Sequence, residues 1–306
     1  MENRTLIKDA FSKKGVVEIA GWVQLVRDLS KVKFVVLRDI SGVIQVTGVN
    51  GKTPEKVFKD MEKISRESVI YVKGTIKDSK QAPGGKEINP DEIKIISVAE
   101  DLPIDVSEHS KTELPKRLDY RFLDFHRQRI QAIFKIQNEI TNSFREFFYK
   151  KGFLEMQPPC IISSSSEGGT DLFSVSYFEK KAFLAQSPQL YKQMIACSME
   201  KTFMITPVWR AEKHNTTRHI NEIRQLDIEM AFANQEDVMK QLEDVLTHII
   251  QNVMDKCKES LELLEVKLKL PKSKYLSYDE TVKLLGIKYG EDLSPEDERN
   301  LDKKFP

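Results

Sequence analysis

The residues best suited to chemistry lie between Phe203 and Phe232, in FMITPVWRAEKHNTTRHINEIRQLDIEMAF. Alternation with a period of two predicts a pair of strands here. On the second strand, Leu226, Ile228, Met230 and Phe232 share one face, and Gln225, Asp227 and Glu229 share the other. Arg210 and Glu212 share a face of the first by the same period. Between them lie Lys213, His214, Arg218, His219 and Arg224, in a connection longer than the roughly two to five residues a hairpin turn needs. Cations above a floor of carboxylates suit a ligand that carries both a phosphate and an amine. A solvated hairpin would explain the charges, but not an apolar strand with its acids gathered on one side.

Two further segments carry chemistry-bearing residues: SSSSEGGTDLF, from Ser163 to Phe173, and FLAQSPQLYKQM, from Phe183 to Met194. Gly168 and Gly169 permit a hinge in the first. In the second, Ser187 suits an N-cap and Pro188 a first helical turn. Gln189 and Lys192, three apart, then fall on one helix face. Lysines are ordinarily surface residues, so Lys192 alone signals nothing.

The stretch VWRAEKHNTTRHINEIRQLDIEMAF resembles the second signature motif of class II aminoacyl-tRNA synthetases, in the form found in aspartyl enzymes of archaeal and eukaryotic type. The resemblance implies that Arg210 clamps the ATP α-phosphate, contacts the aspartate and is the catalytic residue. It assigns Glu212, Arg218, His219 and Ile220 to neighbouring nucleotide positions. One position departs: where the class stacks adenine on phenylalanine, this chain has Ile223. The other two segments are similar to the aspartate-binding elements of the same family, which read close to EGGTELF and SPQLYKQ. By that resemblance Glu167, Gln189 and Asp227 belong to aspartate recognition, with Lys192 facing the side-chain carboxylate. Related asparaginyl enzymes lack this proline and lysine, so aspartate is the expected substrate. A buried cation left without its carboxylate would penalise asparagine.

The elements that hold these residues begin with a barrel. Alternating β-branched runs predict strands over Val16–Arg27, Val32–Asp39, Ile44–Val49, Ser68–Ile76 and Glu87–Ser97, with a short helix over Pro54–Ile64 after the third. Three strands, a helix and two strands is the order of an OB-fold, although another small barrel would satisfy the pattern. GWVQLVRDLSKVKFVVLRDISGVIQVT looks like the anticodon-binding domain of the same synthetases, with Phe34 as the stacking platform, Gln45 as the base-edge reader and Glu87 beside it. In archaeal relatives, discrimination between tRNA-Asp and tRNA-Asn is linked to an aromatic residue in the first barrel strand and a lysine before the last. Here Gln24 and Pro83 take those positions, implying an enzyme that charges both.

The polar stretch Asp101–Asp124, with Pro103 and Pro115, reads as a linker. A helix with Ile130, Phe134, Ile140, Phe144 and Phe148 on one face follows and stops at Gly152, ahead of a strand ending at Pro158-Pro159. Helix, strand and proline resemble the first class II motif, which implies a homodimer. The expected architecture is α+β. Residues 1–102 form the OB-fold anticodon domain, 103–124 a hinge, and 125–306 the N-terminal part of a class II antiparallel-sheet catalytic domain.

Charged residues make up 31% of the 306-residue chain at a net charge of +1, so nucleic-acid contact must come from local patches. Cys160, Cys197 and Cys257 are scattered, which fits a reducing, cytoplasmic setting and no zinc site. No membrane segment is expected. After Phe232 there are two glycines, Gly286 and Gly290, and a single arginine, Arg299, so the third class II motif is absent from these residues. The expected function is therefore an aspartate–tRNA ligase using ATP and L-aspartate, with tRNA-Asp as partner and tRNA-Asn as a second one. Its Mg²⁺ ligands would lie outside this sequence, and the chain alone would be inactive. The reading leaves open a fragment of a longer enzyme, one half of a split synthetase completed by a C-terminal polypeptide, and a non-catalytic tRNA-binding paralogue.

Overall fold

The structure is a computed structural model that describes residues 4–166, 172–213 and 220–305. Two compact units divide it. One is built from residues up to Asp105 together with Lys111–Lys116, the other from Val106–Ser110 together with residues from Arg117 onward.

In the first unit a helical turn, α1 (Ile7–Ala10), precedes β1 (Gly15–Asp28), β2 (Val32–Asp39), β3 (Gly42–Val49), α2 (Glu55–Asp60), β4 (Val69–Asp78) and β5 (Lys86–Ser97). The strands close into a barrel in the order β1-β2-β3-β5-β4. Alternation turns Ile19, Val23, Val35, Leu37, Ile44, Val46, Ile70, Val72 and Ile88 fully inward. Each such side chain contributes roughly 1.5–3 kcal/mol of burial. Closure brings backbones close at Gly74, where an added Cβ would lie 2.2 Å from the Asn89 carbonyl oxygen. The register of β4 on β5 shifts at that step.

The second unit starts in the segment read as linker, which is not featureless. It contains α3 (Leu114–Asp119) and α4 (Arg121–Asp124), and Asp124 is fully buried. The carboxylate accepts from Arg117 Nε at 2.8 Å and Nη2 at 3.0 Å. Helix α5 (Gln128–Lys150) follows. Gly152, at φ +77°, ends it: its N–H donates to the Tyr149 carbonyl, and that of Phe153 to Phe148. This paired termination needs a left-handed residue, the conformation that favours glycine.

Strands β6 (Leu154–Glu155), β7 (Ile161–Ile162), β8 (Ser174–Tyr177) and β9 (Lys180–Leu184) lead to α6 (Gln189–Met199), β10 (Lys201–Trp209) and β11 (Glu222–Met230). Two three-stranded sheets result, β11-β10-β6 and β7-β9-β8. Helix α7 (Gln235–Lys256), started by a reciprocal Asn234–Asp237 capping box, is followed by α8 (Lys258–Leu264), α9 (Tyr278–Leu285) and α10 (Pro295–Lys304). The core of this unit packs Phe203, Ile205, Leu226, Ile228 and Met230 of the β10–β11 pair against Phe144 and Phe148 of α5 and Val245, Ile249 and Val253 of α7. The opposite sheet face is thereby left to α6.

Candidate active site and nucleic-acid face

In the antiparallel β10–β11 pair, Thr202 stands opposite Glu229, Met204 opposite Asp227 and Thr206 opposite Gln225. Because neighbours across a sheet share a face, these six residues form one surface, opposite the apolar core. The ladder continues one step past β10, the Arg210 N–H donating to the Asn221 carbonyl at 3.0 Å. The carbonyl oxygens of Arg210, at 3.1 Å, and Glu212, at 2.9 Å, both face one end of the Asn221 side-chain amide, and since carbonyls only accept, that end is assigned as its donating NH2 group. Asn221 thus braces the base of the loop from which Arg210 and Glu212 project. Ile223 continues the site face on β11, and Ile220 is exposed.

Helix α6 packs on this surface. It begins one residue later than the sequence suggests, with Pro188 rather than Ser187 at the cap, yet the Ser187 hydroxyl still accepts from the Gln189 N–H at 3.3 Å. Gln189 and Lys192 fall on the inner side, and Lys192 is only 8% exposed. Its ammonium donates to Asp227 Oδ1 at 2.7 Å and to the Ile228 carbonyl at 3.4 Å, and lies 3.5 Å from Glu229 Oε2. One buried cation between two carboxylates leaves the pocket with a net negative charge. Such a pocket can hold an ammonium on its acids and a carboxylate on its lysine, the two ends of an acidic amino acid.

Four residues of this site carried no assignment in the sequence reading: Asn221, Glu229, Gln225 and Gln186. Glu229 shares Lys192 with Asp227. Gln225 Oε1 is buried with no hydrogen-bond donor among the described residues. Gln186 is fully buried and accepts from Ser165 Oγ at 3.1 Å, while the hydroxyls of Ser166 and Ser187 lie 3.4 Å apart. The alternation of β11 already put Gln225 and Glu229 beside Asp227, but nothing in the sequence distinguished Gln186 or Asn221. Glu167, Arg218 and His219 lie outside the described residues.

The barrel offers a separate surface. Phe34 on β2 stands opposite Thr47 on β3 and Arg27 on β1, Val36 opposite Gln45, and Gln45 opposite Glu87 on β5. Phe34, Gln45 and Glu87 therefore share one outer face, joined by Thr47. Gln24 sits at the irregular step of β1 between Val23 and Leu25, its Oε1 buried without a donor among the described residues. Pro83 opens a single exposed turn, Pro83–Gly85, ahead of β5.

Among the described residues, no group of three His, Cys, Asp or Glu side chains could hold a metal ion. The acids of the pocket, Asp227 and Glu229, are already engaged by Lys192, so these residues do not fit a Mg²⁺ site. No described helix is long and apolar enough to cross a membrane.

The family described as tRNA synthetases class II (D, K and N) matches residues 113–305, and the OB-fold nucleic acid binding domain matches residues 17–96. The aspartate–tRNA(Asp/Asn) ligase of Methanopyrus kandleri is 45% identical over 299 residues, which are 94% of this chain and 69% of that protein. The aspartate–tRNA(Asp) ligase of Pyrococcus abyssi is 44% identical, over 94% of this chain and 68% of its own length. Among solved structures, asparaginyl-tRNA synthetase from Pyrococcus horikoshii, complexed with asparaginyl-adenylate, superposes with a TM-score of 0.90 at 30% identity. That match covers 100% of this chain and 73% of the other. With an OB-type barrel, a class II hairpin and these matches over nearly its whole length, the chain belongs to the class II tRNA synthetases of the D, K and N group.

Proposed function

We propose that this chain carries the aspartate-activating and anticodon-reading parts of an aspartate–tRNA ligase. The observation that carries the reading is Lys192, buried at the floor of the pocket between Asp227 and Glu229. The aspartate side-chain carboxylate would accept from its ammonium, while Asp227 and Gln189 receive the substrate ammonium. That leaves the α-carboxylate directed along the sheet toward Arg210. The α-carboxylate attacks the ATP α-phosphorus, the bond to the bridging oxygen breaks, and pyrophosphate leaves with the electron pair. The terminal hydroxyl of the tRNA then displaces AMP from aspartyl-adenylate.

Two anions must meet in the first step, so the protein's task is positioning and charge neutralisation rather than covalent catalysis. Arg210 supplies that charge, held by the Asn221 brace, and Glu212, Arg218, His219 and Ile220 complete the nucleotide side. Class II synthetases use ATP with Mg²⁺, and no step is routed through a metal here. On the barrel, Phe34 stacks an unpaired base whose edge meets Gln45 and Glu87.

We read the partners as L-aspartate and tRNA-Asp, with tRNA-Asn as a second acceptor. Gln24 and Pro83, neither aromatic nor basic, support the relaxed choice, and relatives of both specificities are equally similar. The reading is tested by ATP–pyrophosphate exchange, using residues 1–306 joined to the remaining third of the Methanopyrus kandleri relative. Aspartate should drive exchange, and Arg210→Ala should reduce it about a hundredfold or more. Exchange that is independent of aspartate, or indifferent to Arg210, would overturn it.

A further inference from the structure

We propose that the tip of the β8–β9 hairpin holds the unpaired 3′-terminal strand of the acceptor tRNA, with Phe178 as a stacking platform and Lys180 as a phosphate contact. This rests on the reading of the chain as part of a tRNA ligase. The turn joins Tyr177 to Lys180 through two residues, Phe178 and Glu179. Of the two, Phe178 alone has a positive φ, +52°. A two-residue turn with only its first central residue left-handed is the type II′ hairpin, and that place ordinarily goes to glycine. A side chain there is strained. Packing does not compensate, since Phe178 is 85% exposed. Its ring meets that of Tyr177 edge-on, with centroids 5.1 Å apart and an interplanar angle of 78°. Turn geometry and burial both argue against phenylalanine at this apex, so neither explains it.

The surroundings identify the ligand. Tyr177 stands opposite Lys180 and Ser176 opposite Lys181, all four exposed. Behind the tip come Ser174, Ser176 and the buried Ala182, so the exposed aromatic surface ends with two rings. Two rings are far too little for a stable protein interface, which buries about 800 Å² on each partner. They match one or two nucleobases, and an aromatic face with a cation for the phosphate holds single-stranded nucleic acid without reading its sequence. The other end of the hairpin leads to the reaction. Strand β9 runs into Ala185, Gln186 and Ser187 of the pocket wall, and the Ala185 carbonyl accepts from the Trp209 N–H at 2.8 Å, one residue before Arg210. The second step of the proposed reaction brings the terminal hydroxyl of the tRNA to this pocket. At roughly 3.3 Å per residue the extended chain from Phe178 to Gln186 spans about 25 Å, a distance that a few unpaired nucleotides can bridge.

The test is the affinity of the whole 306-residue chain for two forms of tRNA-Asp, one intact and one trimmed of its unpaired 3′-terminal nucleotides. The intact form should bind on the order of tenfold more tightly. Phe178→Gly, which suits the turn, should bring the two affinities to within about twofold by weakening the intact form alone. Its unfolding midpoint should stay level or rise, because the left-handed strain is gone. Phe178→Tyr should keep the preference, and Lys180→Glu should reduce it. An unchanged preference in Phe178→Gly overturns the inference and leaves tRNA binding by the barrel intact, as does equal affinity of the wild type for both forms. A fallen unfolding midpoint in Phe178→Gly overturns it too, by making the ring a packing residue. So does a fall in mass by light scattering, which would mean that the tip seats a second copy of the chain. Failure to bind either tRNA overturns both the inference and the tRNA reading on which it rests, without touching the aspartate pocket.

Discussion

Lys192 meets two carboxylates before any substrate arrives, so it is poised rather than free. On the proposed function, binding aspartate would exchange one carboxylate partner for another at little electrostatic cost. Asparagine would offer the ammonium only an amide oxygen and bring an amide nitrogen with no acceptor of its own. That asymmetry, rather than affinity for the backbone of the amino acid, would then set the selection. Asn221 acts more modestly, on the carbonyls of Arg210 and Glu212. Asn221→Asp cannot donate and should lower exchange at subsaturating ATP roughly fivefold, the worth of about 1 kcal/mol, with aspartate saturation unchanged. An equal effect on both substrates would mean that the hairpin itself had moved. The sequence singled out Lys192, Gln189 and Asp227 because a motif carried them, and the fold brings Lys192 onto Asp227. Asn221 and Gln186 were not, because their roles arise from backbone carbonyls and a serine that only folding brings near.

At the scale of elements, the barrel strands were readable within a residue or two, since alternation of β-branched residues is a local signal that tertiary packing reinforces. The segment read as a hinge was not. Its helices α3 and α4 are too short for a period to show, and its order comes with a charge contact, Arg117 on buried Asp124. Strands β8 and β9 were likewise missed, being four and five residues long with little apolar alternation. Burial pushes the Asp124 carboxyl up, but the hydrogen bond and charge of Arg117, with Arg127, outweigh it and hold the carboxyl below the usual carboxylate range. A depressed carboxyl contributes stability above its unfolded value of about 3.9 and loses it as pH falls through the folded value. Asp124→Asn should therefore destabilise the second unit by about 3 kcal/mol near neutral pH. The deficit against wild type should shrink below about pH 4, as read by denaturant unfolding at several pH values. A deficit that is constant down to pH 2 would place the cost in packing rather than charge.

For the whole molecule, the sheet β11-β10-β6 leaves the outer edge of β11 without a strand partner among the described residues, and α5 presents Ile133, Phe134 and Tyr149 at 49%, 40% and 54% exposure. We propose that the exposed Ile133–Phe134 stretch near the start of α5 seats a second copy of the chain. Ile133→Glu with Phe134→Glu should then halve the mass seen by light scattering, and an unchanged mass would exclude this face. The 306 residues alone, with Arg299 the sole arginine after Phe232, should give no aspartate-dependent exchange above background. At a net charge of +1, oligonucleotide binding would rest on the local surface around Arg27 and Phe34 rather than on the field of the whole chain, and its affinity should fall as salt rises. The shared fold of aspartate and asparagine enzymes, evident in the TM-score of 0.90 against an asparaginyl-tRNA synthetase, means that amino-acid choice must be decided by side chains.

The most direct measurement is therefore pyrophosphate exchange with aspartate and with asparagine, on the joined polypeptide carrying Lys192 or Lys192→Met, with ATP binding followed in parallel. With Lys192 in place, aspartate should outperform asparagine on the order of a hundredfold or more. Lys192→Met should remove the aspartate reaction while ATP still binds. Equal use of the two amino acids, or aspartate exchange within a few-fold of wild type in Lys192→Met, would contradict the assignment of this pocket to aspartate.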